Sequence, residues 1–99
     1  MRRVSVSCPF SWNPRRSEII VARIARQLVA EGSLPLAPQI YFPRFLDEVK
    51  ERGLALKLCL QLVSPSDEVR VYGDPSEGMR LEIAEAERLG IPVVKEEFP

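Results

Sequence analysis

The chain has 99 residues, 45% of them hydrophobic, with fourteen basic side chains balanced by fourteen acidic ones. That length makes one domain, residues 1–99, and that hydrophobic fraction excludes a disordered chain. The neutral balance gives no reason to expect a nucleic-acid polymer or a membrane surface as partner. With no histidine and two cysteines lacking CxxC spacing, Ser-His and Cys-His catalysis and the commonest zinc ligand are excluded. Carboxylates are left as the candidate catalytic groups, and nothing calls for a metal or a cofactor. No apolar run approaches the roughly 20 residues of a spanning helix. The first residues are too weakly apolar for a signal peptide; the expectation is a cytoplasmic protein. A chain this short buries a modest fraction of its surface, so a homodimer or larger homo-oligomer is expected.

Residues 3–8, RVSVSC, alternate apolar and small polar residues and stop at Pro9, the pattern of a short strand. Asn13 followed by Pro14 signals a helix start. Ile19, Ile20, Ala22, Ile24, Ala25, Leu28 and Val29 then recur at helical spacing to about Glu31, with Gly32 as the stop. Leu34–Ala37 is a second strand, and Pro35 places it at a sheet edge. PQIYFPRF is an aromatic loop. Phe45–Val63 is expected as a second helix, interrupted at Gly53, with Leu46, Val49, Leu54, Leu58 and Leu62 in the core. Glu68–Tyr72 is a third strand, 77–89 a third helix with Met79, Ile83, Ala86 and Leu89 facing in, and Ile91–Val94 a fourth strand.

Strands alternating with helices predict a three-layer, flavodoxin-like α/β sandwich: a parallel sheet of order 2-1-3-4 with helices on both faces. In such sheets ligands bind beyond the carboxyl ends of the strands, where strand order reverses. That crevice lies between strands one and three. Two loops border it, SCPFSWNPRR and GDPSEGM. In the second, Ser76, Gly78 and the backbone near Met79 open a helix whose N–H groups suit an anion; simple capping of the helix explains the serine equally well. Glu82 follows close to the apolar stripe, where a carboxylate is expensive to bury without partners. It is either a surface or dipole-paired glutamate or a nucleophile or base aimed into the crevice. In the first loop Phe10 and Trp12 can stack on a base or sugar, and Arg15 and Arg16 can pair with phosphate. Cys8, at the end of strand one, can line the site. Cys59 is expected as a structural thiol. Asp47 faces the crevice or sits in the first turn of helix two.

The strand–SxGMxxE–helix arrangement, with a loop after strand one, resembles the nucleoside 2-deoxyribosyltransferase superfamily, which includes 2′-deoxynucleoside 5′-monophosphate N-glycosidases. The segments VSVSCPF, LPLAPQIYFPRFLDE, SDEVRVYGDPSEGM and EIAEAERLGIPV carry the likeness. The resemblance implies that Glu82 attacks C1′ of a deoxyribose and that Ser76 contacts a 5′-phosphate. The family's aspartate upstream of strand three has no match in LKLCLQLV, and Asp47 is a candidate substitute. The resemblance therefore implies an N-glycosidase or deoxyribosyltransferase acting on deoxynucleoside monophosphates, with a small-molecule nucleotide or nucleoside as partner. The alternative is a nucleotide-binding or sensor module without catalysis.

Overall fold

The computed structural model describes residues 1–9, 14–47 and 49–99, and, for 14–16, the backbone alone. The expected N-cap at Asn13, and Phe10 and Trp12, therefore lie outside the described residues, as do the Arg15 and Arg16 side chains. The chain order is β1 (Arg2–Ser7), α1 (Pro14–Ala30), β2 (Ser33–Leu36), a one-turn α2 (Pro38–Tyr41) continued by a 3₁₀ turn (Phe42–Arg44), α3 (Arg52–Val63), β3 (Glu68–Tyr72), α4 (Glu77–Leu89) and β4 (Val93–Glu96). Among the described residues no helix is long and apolar enough to cross a membrane.

The strands form one parallel sheet of order β2-β1-β3-β4, as the alternation of elements predicts. Pro35 sits on β2, the edge strand, opposite Val4, where a missing N–H costs little. The strand period of two divides β3 between two cores, with Tyr72 in one and Val69 and Val71 in the other. Val4, Val6 and Cys8 join Val21, Ile24 and Leu28 of α1 on one face. Val69 and Val71 of β3 join Val63, Met79 and Ala86 of α3 and α4 on the other. Order reverses between β1 and β3, so the crevice opens beyond Ser7 and Tyr72.

Several helical expectations change. Val21 is fully buried, whereas Ile19 and Val29 are about half exposed; α1 uses a narrower stripe, Val21–Ile24–Leu28, than its composition suggests. PQIY is helical, with Pro38 in the first turn, where a proline's missing donor is harmless. The second helix begins at Arg52 rather than Phe45. The intervening chain turns on Asp47, whose Oδ1 accepts from the N–H groups of Val49 and Lys50 at 2.9 and 2.8 Å. Val49 is consequently 88% exposed, and Leu54 and Leu89 also face outward. Gly53 lies in the first turn of α3 and interrupts nothing.

Candidate functional site

The corner after β3 is built from three local signals. Gly73 takes φ +75°, a value that favours glycine. Ser76 is the N-cap of α4: its Oγ accepts from the Met79 N–H at 3.3 Å. The Ser76 N–H in turn points at the Met79 sulfur at 3.4 Å, so methionine takes the place usually held by a glutamate in a capping box. Ser76 is exposed, and so is Asp74, which makes no hydrogen bond or ion pair among the described residues. A Cβ at Gly78 would meet only Leu56 Cδ1, at an ordinary 3.6 Å. No described neighbour therefore demands glycine there.

Glu82 lies in the second turn of α4, partly buried where α4 packs against α3. It has no hydrogen-bond or ion-pair partner among the described residues. Loss of water raises its carboxyl to about 7, so near neutrality it is divided between acid and carboxylate. Its charge is felt by Cys59 of α3, whose thiol is pushed up to about 12, first by burial and then by Glu82. Burial alone pushes Cys8 up to about 11. Both thiols stay protonated at neutral pH and are poor nucleophiles.

Cys59 also lines a small apolar cavity of about 30 Å³, with Pro38, Gln39, Phe42 and Leu46. Tyr41, Phe42 and Phe45 pack edge-on and tilted beside it, with ring centroids 4.8–6.1 Å apart. Two residues not assigned to the site from the sequence stand at the carboxyl end of β1. The Gln39 Nε2 donates to the Val6 carbonyl at 2.9 Å, just past the end of the β1–β2 ladder. Only the amide nitrogen can donate to a carbonyl, so Oε1 is fixed as the other arm, and it is buried without a partner. The Ser7 hydroxyl, at the carboxyl end of β1, is likewise fully buried and unpartnered. Buried polar groups are rarely left unsatisfied. Ser7 could have been found from its place at a strand's carboxyl end; Gln39, inside α2, carried no such signal. Asp47 is exposed and occupied with its own turn. Among the described residues no three His, Cys, Asp or Glu side chains converge to hold a metal ion.

A four-stranded parallel sheet of this order, with helices packed on both faces, defines a flavodoxin-like α/β protein. The chain belongs to the family described as a domain of unknown function (DUF7768), whose model matches residues 2–96. No curated protein matches it in sequence. Among solved structures it is similar to a 2-desoxiribosyltransferase from Leishmania mexicana, with a TM-score of 0.70 and 14% identity over 98% of this chain. The chain spans 65% of that protein's length. At that identity the likeness is one of fold.

Proposed function

We propose that the protein cleaves or transfers the N-glycosidic bond of deoxynucleoside 5′-monophosphates, with Glu82 as nucleophile. The observation that carries this reading is the Glu82 carboxyl: partly buried, unpaired and raised to about 7, six residues past the N-cap Ser76. The fold shared with a deoxyribosyltransferase supports it. The carboxylate of Glu82 attacks C1′ of the sugar. The C1′–N bond breaks, its electron pair leaves with the base, and the base takes up a proton from water. The resulting ester is opened by water, or by the nitrogen of a second base, and Glu82 departs as the carboxylate. Ser76 and the first-turn N–H groups around Gly78 and Met79 hold the 5′-phosphate. From the sequence alone, Phe10, Trp12 and Cys8 are assigned to the base, and Gln39 Oε1 offers it an acceptor. The test is to offer deoxynucleoside monophosphates and measure free base. No release by the wild-type chain, or equal release by Glu82→Ala, overturns the reading.

One observation favours a second reading, a nucleotide-binding module that does not turn over. Asp47, the candidate substitute for the family's aspartate, is tied to its own turn. Calorimetry that finds monophosphate binding weakened by Ser76→Ala, with no base released, selects this second reading. For the working form we propose a homodimer or larger assembly. Tyr41, Phe45, Val49 and Leu54 are exposed apolar side chains on neighbouring segments, and sedimentation velocity reads the outcome directly.

A further inference from the structure

Phe98 lies two residues past β4, in a segment to which the proposed chemistry gives no task. Glu96 is in register with Tyr72, so the chain leaving β4 runs beside the chain leaving β3. The Phe98 ring is set against Gly73: a Cβ built on that glycine would lie 2.5 Å from Cε2 and 2.8 Å from Cζ of the ring. The φ of +75° favours glycine at position 73, and any side chain there would also have to displace the Phe98 ring. Phe98 is 45% exposed, so one side of the ring faces solvent. The next residue, Asp74, makes no side-chain hydrogen bond among the described residues. The corner leads within three residues to Ser76 and the start of α4. The Ser7 hydroxyl, fully buried and without a partner among the described residues, lies on β1 opposite Val71, two residues before the same corner.

We propose that Phe98 is a positioning residue, a clamp on Gly73 that holds the corner 73–76 in the form that presents Ser76 and the first-turn N–H groups of α4 to the ligand's phosphate. The clamp rests on geometry; its ligand rests on the functional reading above. A ring laid over a positive-φ glycine blocks the rotations through which a corner relaxes, and donors fixed in advance bind an anion without an ordering cost. The contribution is confined to the phosphate end of a nucleotide, so Phe98 discriminates between a nucleotide and its nucleoside.

The experiment uses the full chain with Phe98→Ala, Phe98→Tyr and Gly73→Ala, the last displacing the ring from the other side. Amide hydrogen exchange is followed along the chain without ligand. Calorimetry then compares a deoxynucleoside 5′-monophosphate with its nucleoside. In Phe98→Ala and Gly73→Ala, exchange is expected to rise selectively at residues 73–79. Monophosphate binding is expected to weaken about tenfold, the scale of one hydrogen bond to a charged group. Nucleoside binding stays within twofold, and Phe98→Tyr retains wild-type behaviour. Unchanged exchange at 73–79 overturns the clamp, as does equal weakening of both ligands. If the wild type binds neither ligand, the functional reading fails on its own and the exchange result decides the clamp.

Discussion

Glu68 and Glu82 are both withdrawn from water, one at the amino end of β3 and the other in the helix that follows its carboxyl end, and the protein treats them in opposite ways. Glu68 is 5% exposed. Its two oxygens receive Arg2 Nη2 at 2.9 Å and Arg70 Nε at 2.7 Å, and Arg70 reaches on to Glu31 at 2.9 Å. Burial alone would raise its carboxyl; the hydrogen bonds from Arg70 and Arg2 outweigh that and hold it below the usual carboxylate range. Glu82 has burial without the arginines and is raised to about 7. A buried charge tolerated only with partners belongs to the architecture. A carboxyl kept without partners destabilises the fold whenever it ionises, and such groups cluster at functional sites.

The sharpest way to break this contrast is Glu82→Gln, which is nearly isosteric. If Glu82 is the nucleophile, base release falls by at least about a thousandfold while the thermal midpoint at pH 8 holds or rises. A variant that loses stability instead would make Glu82 architectural like Glu68. The reverse exchange, Glu68→Gln, strips Arg2 and Arg70 of their shared partner. It is expected to cost about 2–3 kcal/mol, roughly a 10 °C or larger fall in midpoint for a domain of this size, read by calorimetric melting.

The pH dependences should also run in opposite directions. The folded-state affinity of Glu82 for its proton exceeds that of the unfolded chain, so its contribution to stability is present below the usual carboxylate range. It is lost as pH rises through about 7. Activity that needs the carboxylate rises over the same interval, so kcat/KM increases through pH 7 as the midpoint falls. Both trends vanish in Glu82→Gln. The Glu68 contribution is present above the usual carboxylate range and is lost only as pH falls below it. Melting from pH 3 to 9 separates the two. The smallest expected effect is Ser76→Ala, which removes the cap of α4 at about 1 kcal/mol. It should also raise KM for monophosphates with little change for nucleosides.

The strand order, the edge position of Pro35 and the Gly73–Ser76 corner were legible from the sequence. They depend on local rules: the alternation of β1, a proline's missing donor, and a serine placed before a helix. The helix expected from Phe45 failed because the spacing of Leu46 and Val49 mimics a helical face, while the actual turn is set by an Asp47 side chain accepting from backbone. Val21 was overlooked because the apolar run IIVA, residues 19–22, does not reveal which of its members meets the sheet. Four-residue PQIY is too short to show a period.

By itself the sequence determined which residues can cap, turn and alternate, and hence a parallel sheet with a candidate corner at GDPSEGM. It also determined that Glu82 lies near an apolar stripe, because helical spacing is a property of the chain alone. Whether that carboxylate finds an arginine was decided only by the tertiary structure. So were the orphaned Oε1 of Gln39 and the ring of Phe98 on Gly73. Burial, partners and close approach depend on residues far apart in the chain, as with Arg2 against Glu68 and Phe98 against Gly73, and no local spacing records which of them will meet.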